Sequence, residues 1–559
     1  MRSGPRRKKG VPAPRMDPSP RGIMDHRRAA YLWTAAFLTI SLFLLKDYGP
    51  VSDSAKNYRE GQANFEYILT GSMNLQVLGD QTHGALSFMM ADVFRRLLHG
   101  GLGWLDAVSA RHAVLPLLLA SFLLCLFSFV KKRWDGAAAF LTVALLSTYP
   151  YVFGHAFNNL KDIPLLIFCS LSIACFVEWR SSRSIPCLYG HGMFLGLALS
   201  VKMYALLVPI IAWSWLACVG RPGGADRARP AGRLPLAHLT GSYGLAFGLV
   251  AMLYSPAFWG LSDKSDFLIN RMYHLWSHVS SLSDATAAGI NGRFGSRVVY
   301  SGGNREFWGI PPARWNIYSL EQIFYRTPVA MLLCAGAGLA TSLVRLRAKP
   351  ENALLIVWLA LPLAIPCLPD IIHYDGMRNF LIFAVPFSIL ASLGLLRLAG
   401  LAAGRLRWPK KAWIGLLGSI VLGLNLTGLI ATHPYETTFF NAFAGGLRGA
   451  QAAGIPFAGD YWFSSCRQAG LWLDQHAELG ARIYVHTFSR EALGLSLQRK
   501  DLSILEIRYN EQSDYAPGDY VVVVPNPYWK ALGQYPGPAS SIVHQIKRQG
   551  GEILTIYKT

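Results

Sequence analysis

The sequence predicts a mainly α-helical, polytopic membrane protein with about eleven transmembrane helices and a small C-terminal α/β domain. Three observations predict this fold class. Of the 559 residues, 52% are hydrophobic and only 15% are charged, so the chain is more apolar than an average soluble protein. The apolar residues form blocks long enough to cross a hydrocarbon core of about 30 Å. After residue 431 the composition changes to that of a soluble protein.

The net charge of +21 is distributed as in a membrane protein rather than as in a nucleic-acid-binding protein. Lysine and arginine concentrate in the first 28 residues and in short links between apolar blocks, at 131–133, 345–347 and 405–411. This is the positive-inside pattern, which orients membrane helices. No basic face belongs to a soluble module, so we expect no nucleic-acid partner. The pattern predicts a basic cytoplasmic tail at 1–28 and an outward-facing C-terminus.

Apolar blocks define the predicted transmembrane region, residues 29–431. The first block, 29–45, is followed by Lys46-Asp47-Tyr48 rather than by a small-residue cleavage site, which predicts an uncleaved first helix. The later spans are predicted near 112–130, 136–153, 163–179, 189–201, 203–219, 237–257, 327–344, 352–368, 379–398 and 412–431. Lys202 interrupts the long stretch at 189–219. Counting that stretch as two helices keeps the basic links on one side of the membrane.

Two long loops are predicted on the outer face, at residues 46–111 and 261–326. Within the first loop, residues 85–98 have helical apolar spacing and predict a helix that lies along the membrane interface. Residues 432–559 predict an extracytoplasmic α/β domain. Its β-rich runs are 483–485, 502–507, 520–524 and 553–557, and its helix-like stretches are 464–476 and 540–549.

Acidic residues near the predicted outer membrane edge are candidates for function, because charges at such positions are costly. Asp53 follows the first helix by a few residues; the alternative is a solvated loop aspartate. Asp162 lies just before Pro164, where a helix N-cap is the alternative role. Capping does not explain why further polar residues crowd this turn, namely His155, Asn158, Asn159 and Lys161.

A third polar cluster covers residues 373–379 and contains His373, Asp375 and Arg378. Arg378 either extends its guanidinium to the headgroups or holds a phosphate in its planar fork. Lys202 is a second candidate cation. The predicted topology places all three clusters and Lys202 on one membrane face. We therefore expect carboxylates for proton transfer and cations for a leaving phosphate at the depth of a lipid phosphate.

In order and topological spacing these residues resemble the GT-C superfamily of membrane glycosyltransferases, specifically the glycosyltransferase family 39 group. That group contains protein O-mannosyltransferases and enzymes that transfer aminoarabinose to lipid A. The matching segments are Asp53, 82–86, 155–162, 196–202, 373–378, 433–441, 445–446 and 460–462. Two positions depart from the family pattern. Asp53 is followed by Ser54 rather than by a second acid, and Gly84-Ala85-Leu86 stands where Pro-Pro-Leu is common.

The resemblance implies a polyprenyl-phosphate-linked sugar as donor and a lipid, glycan or protein as acceptor. It implies that Asp53 is the general base of an inverting displacement and that Asp162 orients the acceptor or supports a metal or other cation. Donor-phosphate binding would fall to Arg378, Lys202 and Lys161. Substrate binding would fall to His83, His155, Asn159, His373 and Asp375. No cofactor is implied, with a divalent cation left open, and the expected location is the inner (plasma) membrane.

Two other functions remain open at this stage. A multipass lipid or small-molecule transporter or flippase would also have many helices, but it predicts polar residues through the middle of the bilayer. A ligase of lipid-linked glycans shares the same membrane architecture and would transfer a whole glycan.

Overall fold

The computed structural model describes residues 25–72, 83–219, 236–256, 317–346, 348–368, 375–507, 515–525 and 540–559. In these ranges every predicted span coincides with an apolar helical segment. Seven helices are long and apolar enough to cross a membrane, one further pair is bent by 61°, and three apolar helices are shorter. The protein is therefore a multipass membrane protein, and its described residues contain seven or eight spans by length and composition.

The helices and strands have the following bounds. The helices of the membrane region are α1 (His26–Leu44), α2 (Ser54–Thr70), α3 (Leu86–Arg95), α4 (Ala107–His112), α5 (Val114–Arg133), α6 (Gly136–Ser147), α7 (Pro150–Asn158), α8 (Asp162–Ser182), α9 (Ile185–Leu199), α10 (Leu207–Val219), α11 (Leu236–Leu253), α12 (Tyr318–Arg326), α13 (Val329–Val344), α14 (Pro350–Ala364), α15 (Ala384–Arg405) and α16 (Lys410–Thr432). The terminal region contains α17 (Gly446–Ala452), α18 (Cys466–His476), β1 (Arg482–His486), α19 (Thr487–Gly494), β2 (Ser503–Ile507), β3 (Tyr520–Val523), β4 (Ser541–Arg548) and β5 (Gly551–Lys558).

The stretch 189–219 forms two helices, as predicted. Helix α9 packs along α8 and α11, whereas α10 packs against α14 and α8. The break at 200–202 places Lys202 beside Asp162, the first residue of α8, because α9 runs back along α8. The predicted span 136–153 is not straight. It continues to Asn158 as α6 and α7, and the bend falls at Pro150, whose ring cannot be accommodated within a continuous helix.

The basic links between helices gather at the end of the bundle opposite Asp162. Lys132 and Arg133, at the end of α5, contact Glu178 near the end of α8 at 2.5 and 2.7 Å. Arg133 also lies 3.6 Å from Glu351 at the start of α14. Helix α8 has 21 residues, so at 1.5 Å per residue about 30 Å separates its two ends. The charge bias read from the sequence thus corresponds to one physical end of the bundle.

Close backbone contact joins α13 and α15 at two glycines. A Cβ atom on Gly338 would lie 1.9 Å from the Leu390 carbonyl oxygen, and one on Gly394 would lie 1.8 Å from the Cys334 carbonyl oxygen. Small residues allow membrane helices to pack this closely, which compensates for the missing hydrophobic driving force within lipid. Helix α15 also packs on α6 and α16, so it occupies the centre of this half of the bundle.

The first predicted outer loop contains more helix than the sequence indicated. Helix α3 confirms the apolar spacing at 85–98, but α2 was not predicted. Helix α2 has no strong apolar stripe and packs its small and polar residues against α3. Of the second predicted loop, only residues 317–326 lie within the described ranges, and they end in α12.

The terminal region forms a five-stranded mixed sheet in the order β2-β1-β3-β5-β4. Four predicted strands and the helix at 464–476 are confirmed. The predicted helix at 540–549 is wrong, because this segment is β4 and pairs antiparallel with β5. Gln549 and Gly550 connect the two strands with φ of 46° and 70°. Positive φ at both loop positions is typical of a two-residue hairpin turn, and this turn forces 541–548 to pair as a strand.

We predict that the Asp162 end of the bundle and the terminal sheet face the same compartment. In a variant without native cysteines, cysteines placed at the exposed Arg59 and Leu479 should react together with an impermeant thiol reagent on intact cells. Cysteines at the exposed Leu346 and Trp408, at the other end, should react only after permeabilisation. Labelling of Arg59→Cys together with Trp408→Cys in intact cells would contradict this arrangement.

Candidate active site

The turn between α7 and α8 is organised by Asn159. Its Oδ1 accepts hydrogen bonds from the backbone N–H groups of Lys161 (3.1 Å) and Asp162 (2.8 Å). Its Nδ2 donates to Asp162 Oδ2 at 2.9 Å and to His155 Nδ1 at 3.1 Å. Asn159 therefore satisfies the free N–H groups at the start of α8. The alternative role of Asp162 as the N-cap is wrong, since its carboxylate points to other groups.

The carboxylate of Asp162 joins two cations from distant parts of the sequence. Its Oδ1 accepts from Lys202 Nζ at 3.0 Å, and its Oδ2 accepts from an Arg378 guanidinium nitrogen at 3.3 Å. The Asp162 side chain is 1% exposed. A buried carboxylate without partners would be strongly destabilising, so its two cationic contacts and the Asn159 amide are required by its position.

Arg378 forms a second, shorter set of contacts on its other side. Its Nε donates to Asp375 Oδ2 at 2.9 Å, and its remaining nitrogen contacts the same oxygen. Lys202 Nζ also donates to Asn379 Oδ1 at 3.0 Å. Arg378 is buried between two carboxylates, so the reading in which it extends to the headgroups is wrong. Burial raises the pKa of Asp375, although Arg378 acts in the opposite direction.

Asp53 lies between α1 and α2, and its Oδ2 accepts from Lys161 Nζ at 2.5 Å. Its side chain is 36% exposed, compared with 19% for Asp375 and 1% for Asp162. Asp53 is thus the most accessible of these three carboxylates. Burial acts to raise its pKa, but Lys161 and then Arg378 outweigh this effect and lower the pKa below its usual range. At neutral pH Asp53 is ionised, and it is paired rather than simply solvated.

His83 borders the same cluster. Burial, followed by the charges of Lys161 and Lys202, lowers the pKa of His83 well below its usual range, so the imidazole is neutral at pH 7. The next residue holds this segment in place. Gly84 N donates to the Val201 carbonyl at 3.1 Å, and a Cβ atom on Gly84 would lie 1.9 Å from the Ser200 carbonyl oxygen. The glycine that departs from the family pattern therefore permits a backbone contact beside Lys202.

His155 connects this cluster to the terminal region. Because its Nδ1 accepts from Asn159, its proton lies on Nε2, which donates to the Tyr461 hydroxyl at 3.3 Å. Tyr461 contacts the Tyr151 hydroxyl at 2.6 Å, and Tyr151 accepts from the Met377 N–H at 2.8 Å. This chain of hydrogen bonds returns to the backbone beside Arg378. His373 lies outside the described residues.

The structure thus brings together nine of the ten predicted site residues; His373 alone is not among the described ones. Three carboxylates (Asp53, Asp162 and Asp375) balance three cations (Lys161, Lys202 and Arg378). Within the described ranges no group of three or more His, Cys, Asp or Glu residues is arranged to hold a metal ion. Both Asp162 oxygens accept from nitrogen donors.

Sequence reasoning did not assign roles to Tyr461, Trp462, Asn379 or Arg326. The Trp462 ring lies over Arg378, with the guanidinium carbon 4.4 Å from the ring centroid. Arg326 is fully buried and donates to the carbonyls of Thr437 and Phe457 behind the tyrosine pair. The motif Asp460-Tyr461-Trp462 was visible in the sequence, but its contact with residues 155–162 is a long-range feature of the fold.

Comparison with known proteins gives one family-model match. Residues 106–227 match the family described as dolichyl-phosphate-mannose-protein mannosyltransferase. The matched range holds His155, Asn159, Lys161, Asp162 and Lys202. For this part of the chain the match confirms the resemblance to GT-C membrane glycosyltransferases. No curated protein matched the chain in sequence.

Several solved structures are distantly similar. ArnT from Cupriavidus metallidurans, bound to undecaprenyl phosphate, is 12% identical over 94% of this chain and 97% of its own, with a TM-score of 0.46. The oligosaccharyltransferase AglB from Archaeoglobus fulgidus, in complex with an inhibitory peptide and a dolichol-phosphate, is 11% identical over 84% of this chain and 64% of its own (TM-score 0.44). The arabinofuranosyltransferase AftD from Mycobacteria is 13% identical over 94% of this chain and 40% of its own (TM-score 0.41).

We predict that Asp162 and Asp53 differ sharply in their effect on stability. Asp162→Asn should lower the free energy of unfolding by about 3–5 kcal/mol, because it removes the buried charge between two cations: Lys202 loses its carboxylate partner and Arg378 keeps only Asp375. Asp53→Asn should lower it by less, about 1–2 kcal/mol, since that carboxylate is over a third exposed although its partner Lys161 is only 4% exposed. Thermal unfolding of both variants in detergent measures the difference. Equal stability losses would contradict the central position of Asp162.

Proposed function

We propose that this chain is a membrane glycosyltransferase that moves a sugar from a polyprenyl-phosphate donor to an acceptor hydroxyl. The observation that carries the proposal is the position of Asp53, an accessible carboxylate within a cluster of three cations at one end of a helical bundle. A lipid phosphate needs cations at the depth of the headgroups, and an acceptor hydroxyl needs a base beside them.

In the proposed reaction, Asp53 accepts the proton of the acceptor hydroxyl. At the same time the oxygen of that hydroxyl attacks the anomeric carbon of the sugar. The bond between that carbon and the phosphate oxygen breaks, and the electron pair leaves with the polyprenyl phosphate. The sugar centre is inverted. Lys202 and Arg378 stabilise the negative charge that develops on the departing phosphate. Asp162 acts indirectly, because it is buried and holds these two cations in place.

Lys161 has a shared role in this proposal. It pairs with Asp53 in the structure, although the resemblance assigns it to the donor phosphate. The cluster is charge-balanced, so an incoming phosphate would compete with Asp53 for the Lys161 ammonium. Transfer of Lys161 to the phosphate would free Asp53 and raise the pKa of its carboxyl toward the ordinary range. Donor binding would thereby make Asp53 a better base.

The family-model match supports a lipid-phosphate-linked donor, because the family is described by its dolichyl-phosphate-mannose substrate. The matched residues carry the Lys161–Asp162–Lys202 part of the cluster. We extend the proposal to an outward-facing site in the inner membrane, on the basis of the basic links at the opposite end. A membrane assay with radiolabelled polyprenyl-phosphate sugars, reading whether label reaches lipid, glycan or protein, identifies the donor and the acceptor together. Movement of label across the membrane without covalent transfer would favour a flippase.

We predict that Asp53→Asn lowers kcat for sugar transfer by at least about 10²-fold, as loss of a general base should. Donor binding should be retained, because Asn cannot compete for Lys161 as a carboxylate does. Asp47→Asn is the matched control, since Asp47 follows the same helix and pairs with His433 away from the cluster. Initial rates of both variants at saturating donor decide the result. Wild-type turnover by a folded Asp53→Asn protein would remove Asp53 from the mechanism.

We also predict that Arg378→Lys fails to restore the activity that Arg378→Ala loses. Lysine keeps the charge, but it lacks the planar fork that contacts Asp162 and Asp375 together and presents nitrogens to phosphate oxygens. The measurement is the KM for the lipid donor. Arg482→Lys is the control, because Arg482 grips Asp519 through two nitrogens at 2.9 Å in the terminal sheet. A fully active Arg378→Lys variant would show that charge alone is required.

A further inference from the structure

Residues 456–465 connect α17 to α18 and cover the candidate site from the terminal side. The buried Arg326 donates to the carbonyls of Pro456 at 3.4 Å and Phe457 at 2.5 Å, which attaches the start of this segment to α12. Tyr461 reaches His155 through its hydroxyl. At the far end, buried Asp460 accepts from Ser465 N at 2.7 Å, which folds the chain back on itself.

The segment adopts a backbone conformation that bulky residues avoid. Phe457 and Phe463 have φ of 60° and 65°, in the left-handed region where a side chain crowds the following carbonyl. Such conformations persist only where surrounding contacts enforce them, and they cluster at functional sites. The packing here is tight, because a Cβ atom on Gly49 would lie 2.3 Å from the Ser464 carbonyl oxygen. These contacts fix the positions of the side chains that lie between the two phenylalanines and face the site.

What the segment presents is Trp462. Its ring lies over the Arg378 guanidinium at 4.4 Å and within 5.8 Å of Lys161 Nζ, both distances being to the ring centroid. Its edge meets the His155 ring at 5.7 Å between centroids. Its carbonyl oxygen accepts from Ser52 N at 3.0 Å, next to Asp53. One residue therefore touches the two loops that carry Asp53 and Lys161 as well as the turn that carries Arg378.

The face of the Trp462 ring supplies the contacts with Arg378 and Lys161. A cation over an indole face is attracted by the ring quadrupole, and the attraction grows as water is excluded. Trp462 is 4% exposed, and its indole nitrogen has no hydrogen-bond partner among the described residues. The ring is thus not held by a hydrogen bond of its own. Its polar interactions in the described part of the chain are with the cations.

We propose that Trp462 is a positioning residue for the donor phosphate, acting through Arg378 and Lys161. The inference rests on the proposed function. It adds an aromatic ring that aligns the cations to the base and the cations already described. The indole face keeps the Arg378 fork in the plane that serves Asp162 and Asp375, and it holds Lys161 at the edge of the site, within reach of Asp53 or of an incoming phosphate. The terminal region is therefore part of the site, because it supplies the surface on which the two cations are aligned.

The test compares Trp462→Leu, which removes the ring face, with Trp462→Phe, which keeps a smaller one. The KM for a labelled polyprenyl-phosphate sugar should rise at least about 10-fold in the leucine variant and less than about 3-fold in the phenylalanine variant. Trp472→Leu is the matched control, because Trp472 stacks on His476 and His544 in the terminal region. That control should leave KM unchanged. Binding of undecaprenyl phosphate to each purified variant gives a second measurement that does not depend on turnover.

A double-mutant comparison separates positioning from general support of the fold. In an Arg378→Lys background, Trp462→Leu should weaken undecaprenyl phosphate binding by less than half of its effect in the wild-type background. Equal effects in the two backgrounds, or equal losses in the leucine and phenylalanine variants, would overturn the inference. If wild-type protein transfers sugar and Trp462→Leu does so with an unchanged KM, only the inference fails. If wild-type protein neither binds undecaprenyl phosphate nor transfers sugar, the proposed function fails with it.

Discussion

The pairing of Asp162 with Lys202 and Arg378 holds the candidate site together. Each member comes from a different part of the chain, and each is buried or nearly so. Taking such charges out of water is costly, so the arrangement persists only if the end of α9 and the turn before residue 378 both meet the start of α8. The break at residues 200–202 and the non-helical turn at 375–377 bring Lys202 and Arg378 to Asp162.

The neighbouring carboxylate differs because it is left partly accessible. Asp53 sits where α1 leaves the apolar bundle, and its single described salt bridge is to Lys161. Lys161 and Asp162 are adjacent in sequence, yet one side chain points to the accessible carboxylate while the next enters the buried cluster. The Asn159 side chain makes this divergence possible by accepting from both backbone N–H groups. One short turn thus couples the rigid and the accessible parts of the site.

The sequence predicted those features that depend on composition over many residues. In the described residues all eleven predicted apolar segments are helical, because burial in lipid or against other helices favours a long apolar run; seven have the full length of a span, one pair is bent and three are shorter. The secondary-structure predictions fail where a single local contact determines whether a segment is a helix or a strand, or whether it is ordered as a helix at all. The hairpin turn at Gln549-Gly550 overrides the helix-like character of 541–548, and helix α2 is stabilised by packing on α3 rather than by an apolar stripe. For the site, the rule that charged residues at a membrane edge are costly predicted Asp53, Asp162, Lys202 and Arg378. The contact of Trp462 with Arg378 could not be predicted in this way. Trp462 is uncharged and lies beyond the last span, so its position carries no cost of placing a charge at the membrane edge.

Charge balance constrains how this site can bind an anion. Three carboxylates face three cations, so these six groups have no net positive charge and each cation already has a carboxylate partner. An arriving phosphate must therefore displace one of those carboxylates. Lys161 is the group best placed to exchange, because its partner Asp53 is the most exposed carboxylate and can turn to solvent or to an acceptor. Lys202 and Arg378 cannot leave Asp162 without stranding it in the interior. In the proposed reaction, binding of the anion and release of Asp53 as the base would therefore be one event, with the buried triad fixed while it occurs.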